Sequence, residues 1–183
     1  MKRHLLLTLI ACIAVSAVAE GNNPFGDKRI TRWGDQGNGT YVNPILNADY
    51  SDPDAIRVGD KYYMVASDFH FMGMQVLESE DLVNWTLISK VYDRIDFPEY
   101  EKNERYAGGS WAPALRYHNG KFYAYFTPND QPAKGYVYTT EDPRGKWERH
   151  AVIPHFHDAS LFFDEDGKVY MVYGTGQIRE LKP

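Results

Sequence analysis

A frame that recurs three times constrains this chain more than any other feature. The copies read Asp52-Pro53-Asp54-Ala55-Ile56-Arg57-Val58-Gly59-Asp60-Lys61-Tyr62-Tyr63-Met64-Val65, then Trp111-Ala112-Pro113-Ala114-Leu115-Arg116-Tyr117-His118-Asn119-Gly120-Lys121-Phe122-Tyr123-Ala124-Tyr125, then Asp158-Ala159-Ser160-Leu161-Phe162-Phe163-Asp164-Glu165-Asp166-Gly167-Lys168-Val169-Tyr170-Met171-Val172. Lys61, Lys121 and Lys168 superpose, as do Tyr63, Tyr123 and Tyr170, and Trp111 takes the place of Asp52 and Asp158. Each copy predicts a hairpin: a short strand, a Gly-containing turn, and a second strand rich in aromatic and β-branched residues. A period of ~50 to 60 residues is that of a β-propeller blade, and a propeller brings the first strand of every blade to one axis. Asp52 and Asp158, distant in sequence, would then face one another.

Strand signals alternate with turns at 62–66, 75–78, 122–126, 136–139 and 169–173, and no segment carries a helical stripe. A weaker repeat, Ser79-Glu80-Asp81-Leu82-Val83-Asn84-Trp85 against Thr140-Glu141-Asp142-Pro143-Arg144-Gly145-Lys146-Trp147, reads as a turn plus a tryptophan that closes the outer strand of a blade. The fold expected is all-β, an incomplete propeller of about three blades, because the residues after the leader suffice for roughly three units of ~50 residues whereas propellers close with four to eight. Truncation of a longer enzyme is the simplest reading, with the third copy stopping soon after its second strand.

Residues 1–19 have the anatomy of a secretory signal: Lys2-Arg3, an apolar run from Leu5 to Ala14, and the small-residue site Ala17-Val18-Ala19. Export to the periplasm or the extracellular space is expected, with lipid anchoring at Cys12 the lesser alternative. Residues 20–40 read as an irregular, glycine-rich lead-in, and 41–183 as the folded region. A net charge of −5 without a basic stripe argues against nucleic acid as a partner. No membrane-spanning segment is expected.

Asn43-Pro44-Ile45-Leu46, Tyr50-Ser51-Asp52-Pro53-Asp54 with the residues to Tyr63, Asp81-Leu82-Val83-Asn84-Trp85, Trp111-Ala112-Pro113 and His157-Asp158-Ala159-Ser160-Leu161-Phe162 together resemble glycoside hydrolase family 43, most strongly its β-xylosidase and α-L-arabinofuranosidase members. The resemblance implies a five-bladed propeller that hydrolyses glycosidic bonds in xylan- or arabinan-type oligo- and polysaccharides with inversion. It implies three carboxyl groups at the axis: the general base at Asp52, an aspartate at Asp158 that tunes and orients the acid, and a glutamic acid in a Glu-Gly-Pro or Glu-Ala-Pro context. The last motif does not occur in these residues; Glu165 reads as a turn residue and Glu180 as a strand exit. Inversion needs a base and an acid ~6.5 to 9.5 Å apart with water between them, and a second carboxylate beside the acid keeps it protonated by like-charge repulsion.

Asp54 should point to the other face of its strand and serve a structural hydrogen bond. Trp111 and Phe69 are candidate substrate-binding rings, with His70 and Phe71 nearby; strand packing accounts for most of the other aromatics. His155 and His157 form a His-x-His pair without a third ligand in view, so no zinc site is expected. The resemblance implies no required cofactor and leaves room for a structural Ca2+ on the axis. From other classes, the chain could be a non-catalytic sugar-binding propeller module. A fructan- or sucrose-cleaving propeller is disfavoured because those enzymes use Asn-Asp-Pro-Asn near their first strand and a retaining mechanism, whereas this chain reads Ser51-Asp52-Pro53-Asp54.

Overall fold

The computed structural model describes residues 33–69, 73–95, 108–128 and 133–182. The expected leader (1–19), most of the lead-in, and His70 and Phe71 lie outside the described residues. Among those described, every regular element is a strand, and eleven strands form three antiparallel sheets. The first holds β1 (Asp54–Val58), β2 (Lys61–Val65), β3 (Gln75–Ser79) and β4 (Trp85–Lys90). The second holds β5 (Ser110–His118), β6 (Lys121–Pro128), β7 (Lys134–Thr140) and β8 (Glu148–Pro154). The third holds β9 (Ser160–Phe163), β10 (Val169–Tyr173) and β11 (Gln177–Leu181), so a third strand follows where the sequence suggested the copy breaks off. Each sheet is a meander whose sequence neighbours are its spatial neighbours.

The expected hairpins follow from turn chemistry. In the second copy His118 pairs with Lys121 across Asn119-Gly120, both at positive φ, the pattern a two-residue type I′ turn requires. Strand period then assigns faces. In β2, Tyr63 and Val65 join Leu115, Phe122, Ala124 and Phe126 of the second sheet in one core, while Met64 turns away to Leu77, Trp85 and the segment around Ile45 and Tyr50. In β6, Phe122, Ala124 and Phe126 face the first sheet and Tyr123 and Tyr125 face Leu161 and Met171 of the third. The second sheet is thus packed on both faces, and a one-residue slip in β6 would exchange its two cores.

The first strands of the sheets lie side by side, β1 against β5 and β5 against β9. Asp54 ties the first of these pairs: its Oδ2 accepts from the Leu115 amide (2.9 Å) and from Arg116 Nη1 (2.6 Å). In the third sheet the register Tyr170↔Phe162 and Val172↔Ile178 sets four apolar side chains on the face away from the second sheet. Two of them, Phe162 and Ile178, are 52% and 67% exposed.

The weaker repeat closes the outer strands. Ser79 Oγ accepts from the amides of Asp81 (3.1 Å) and Leu82 (2.9 Å), and Asp81 Oδ1 accepts from those of Val83 (2.9 Å) and Asn84 (2.7 Å). Trp85 opens β4 and Trp147 directly precedes β8, both buried. Arg144, from the second copy of this turn, reaches across to the buried Glu78 of β3 (2.8 Å), which also receives Lys61 Nζ (2.7 Å).

These carboxylates make the fold acid-sensitive. Burial works to raise both, but in Glu78 the hydrogen bonds and charges of Lys61 and Arg144 outweigh it, and in Asp81 the bonds from Asn84, Val83 and Ser79 do, holding Glu78 below its usual range and Asp81 at about 2. A depressed folded-state pKa contributes stability above the unfolded value that is lost as pH falls through the folded one. The midpoint of thermal unfolding should therefore fall between pH ~4.5 and ~2. Asp81→Asn should flatten that fall by ~1 kcal/mol, after discounting for the exposure of Asp81. Melting curves at stepped pH check this, and an acid slope in the variant equal to wild type would contradict it.

Candidate active site

The three copies share a local distortion just ahead of their first strand. β5 carries a register shift between Trp111 and Ala114, so that Trp111 pairs with Thr127 and Ala114 with Tyr125. In the first sheet Asp54 pairs with Val65 while the Ser67 amide donates to Ser51 O (2.9 Å), and in the third Ser160 pairs with Val172 while the Gly174 amide donates to His157 O (2.9 Å). The residue inside each bulge sits in left-handed backbone: Asp52 at φ 49°, Ala112 at 37° and Asp158 at 45°. Bulges re-aim side chains beside functional sites, and non-glycine residues at positive φ persist only where the surroundings impose them.

This register corrects the sequence alignment. Four residues before the partner of the shared tyrosine lie Asp52, Ala112 and Asp158, so Ala112, not Trp111, is the counterpart of the two aspartates. Trp111 corresponds instead to Ser51 and His157. It is 43% exposed, its Nε1 donates to Gly108 O (2.5 Å), and its ring meets Phe69 edge-on at 5.8 Å and 90°. Phe69 also lines a hollow of about 460 Å³ with Tyr50, Ser51, Ser67, Asp68 and Gln75. Burial raises the Tyr50 phenol, which donates to Gln75 Oε1 (3.0 Å).

Asp52 is exposed, next to Ser51 and hydrogen-bonded to Ser67, both of which line this hollow, and its two oxygens have different surroundings. Oδ2 accepts from Ser67 Oγ (2.7 Å) and Ser51 Oγ (3.1 Å), whereas no hydrogen bond from the described residues reaches Oδ1. Asp158 stands at the equivalent point of the third sheet, with β5 between the two aspartates, and His157 Nε2 lies 3.3 Å from its Oδ2. Asp54 does not join them, since its carboxylate is spent on β5.

The loop that carries Asp158 is held from below. Tyr125 OH donates to Phe156 O (2.9 Å) and accepts from the Phe156 amide (3.1 Å), and burial pushes this phenol well above its usual range. A Cβ at Gly135 would lie 2.6 Å from the Tyr125 ring, so glycine is needed there to admit it. Neither Ser67 nor Tyr125 was singled out by the sequence: a serine at a strand end and one tyrosine among 14 carry no distinguishing pattern. Their partners lie 15 and 31 residues away.

The rings of His155 and His157 stack at 6.3 Å, and among the described residues no three His, Cys, Asp or Glu side chains gather as metal ligands. Likewise no helix among them is long and apolar enough to cross a membrane.

Comparison with known proteins identifies the family. Glycosyl hydrolases family 43 matches residues 41–182. A protein of Xylanibacter ruminicola that carries a provisional β-xylosidase name is 49% identical over 91% of this chain and 32% of its own length. The β-xylosidase of Formosa agariphila is 38% identical over 93% of this chain and 31% of its own. A solved bifunctional GH43-CE protein of Bacteroides eggerthii superposes with a TM-score of 0.70 at 40% identity, over 78% of this chain and 19% of that one. The chain thus spans about a third of the length of the curated relatives it matches. Because the family's model matches residues 41–182, most of the chain, the chain belongs to glycosyl hydrolase family 43.

Proposed function

We propose that the protein of which these residues form part hydrolyses O-glycosidic bonds in xylan- and arabinan-type glycans with inversion of configuration. Asp52 is its general base and Asp158 the carboxylate that tunes and orients the acid. One observation carries this reading above the others: Asp52 has one oxygen pinned by the hydroxyls of Ser51 and Ser67, which line a hollow together with Phe69, while no hydrogen bond from the described residues reaches the other. An aromatic wall suits the apolar face of a sugar ring, and a fixed carboxylate with one open oxygen suits abstraction of a proton from water. The substrate class rests on the relatives, one named a β-xylosidase and another, from Bacteroides ovatus, a non-reducing end α-L-arabinofuranosidase.

The three sheets read as successive blades of a propeller whose first strands line the axis, in keeping with their face-to-face packing. The proposal places the general acid outside these 183 residues. Glu180 lies on β11, at the far edge of the third sheet from β9, and Glu165 in an exposed turn, so neither is positioned by its strand to meet Asp52. We further read 1–19 as an export signal; recovery of the protein from its source with Met1 still in place would contradict that.

The test is activity of the complete reading frame on aryl β-D-xylosides and aryl α-L-arabinofuranosides, with the first-formed anomer followed by proton NMR. Release of the inverted anomer is expected, and release of the retained one ends the mechanism. The Phe69 and Trp111 rings beside the hollow would equally serve a second reading, a sugar-binding module without catalysis. Binding of xylo- or arabino-oligosaccharides without turnover by the complete reading frame would select it.

A further inference from the structure

We propose that Ser67 is the positioning residue of Asp52: it holds Oδ2 so that Oδ1 faces the substrate, and a buried clasp of Asp68, Tyr92 and Ser110 holds Ser67 in turn. The inference rests on the reading of Asp52 as the base.

A hydroxyl has one proton to give. Ser67 Oγ accepts from the Ala112 amide at 2.9 Å, and this donor lies in the second sheet. Its own proton is therefore directed to Asp52 Oδ2 at 2.7 Å, a short, charge-assisted bond. The carboxylate is thereby referenced to both sheets at once, through one side chain, at the point where β1 and β5 adjoin. Rotation about Cβ–Cγ, which would exchange the two oxygens, must break this bond as well as that from Ser51.

The clasp fixes where Ser67 stands. The Asp68 amide donates to Ser110 O (3.0 Å) and the Ser110 amide to Asp68 O (2.9 Å). Tyr92 OH lies 3.1 Å from Asp68 Oδ2 and 2.6 Å from Ser110 Oγ, all three residues being buried. The approach is close enough that a Cβ at Gly109, itself at φ 57°, would meet Asp68 O at 1.7 Å.

The repeats supply an internal comparison. The residues that answer to Ser67 are Thr127, opposite Trp111, and Gly174, which donates to His157 O. In the second sheet the bulge holds Ala112, with no carboxylate to orient. In the third sheet Gly174 has no hydroxyl, and Asp158 faces His157 instead. Only the first sheet sets a hydroxyl beneath its bulge carboxylate, and that carboxylate is the one read as the base.

The test is a double-mutant cycle in the complete enzyme. Ser67→Ala should lower kcat ~10- to 100-fold with KM within about twofold, Ser67→Thr should recover most of the loss, and Asp52→Ala/Ser67→Ala should be no slower than Asp52→Ala alone. Wild-type kcat in Ser67→Ala, while Asp52→Ala is strongly slowed, overturns the positioning role and leaves the base in place. A double variant slower than Asp52→Ala by the full Ser67→Ala factor also overturns it, since Ser67 would then act through the fold. Failure of Ser67→Thr to recover any activity counts against the hydroxyl as the cause. Wild-type kcat in Asp52→Ala instead removes the base itself, a result distinct from the other three.

Discussion

Asp52→Ala in the complete enzyme is expected to lower kcat by ~10²- to 10⁴-fold while KM changes little, because under the proposed mechanism the base acts on water in the transition state rather than on the ground-state sugar. The expectation starts from the asymmetry of the carboxylate, whose Oδ2 is tied to Ser67 and Ser51. Deleting the side chain removes the proton acceptor and leaves a space about the size of a small anion. Added azide should enter that space, attack the anomeric carbon from the side the water used, and restore part of the turnover as a glycosyl azide of inverted configuration. Steady-state kinetics with and without azide check both parts. An Asp52→Ala enzyme with wild-type kcat would remove Asp52 from the mechanism.

Asp158→Asn should act through the acid and so leave a different signature. A carboxylate near the acid disfavours its ionisation; neutralising that charge should let the acid lose its proton at lower pH and move the alkaline limb of the pH–rate profile downward. For natural glycosides, whose leaving alkoxides need protonation, kcat at neutral pH should fall by ~10²-fold. Aryl glycosides with good leaving groups should be spared. The contrast between the two substrate types, measured across pH, separates this role from simple misfolding, which would depress both alike. An unmoved alkaline limb would end the tuning role of Asp158.

Both aspartates were legible as candidates because they open copies of one repeated hairpin, and repetition is a local property of the chain. Trp111 shows where local reading stops. Counting along the frame set it opposite the aspartates because the third copy turns through a longer connection, from Phe163 to Val169, than the two-residue turns after Val58 and His118, which puts Asp158 one residue further from its tyrosine than Asp52 is from its own. Strand pairing, not a count along the chain, decides which residue answers to the aspartates, and pairing is set only when the strands meet.

What the sequence alone determined was therefore the set of local choices: three hairpins of aromatic and β-branched strands, Asn119-Gly120 for one of their turns, and the outer-strand tryptophans Trp85 and Trp147. These depend on turn chemistry and strand period, which act over a few neighbouring residues. Tertiary structure decided which polar groups meet. Ser67 bonds across to the Ala112 amide, 45 residues on; Arg144 crosses 66 residues to Glu78; and Tyr125 closes on Phe156. Each is a directional contact between groups that are buried or part-buried at the seams between stacked sheets, where an unpaired donor or acceptor is costly. The partner that satisfies each group is selected only once the apolar faces of neighbouring sheets have packed and brought distant segments within hydrogen-bond reach.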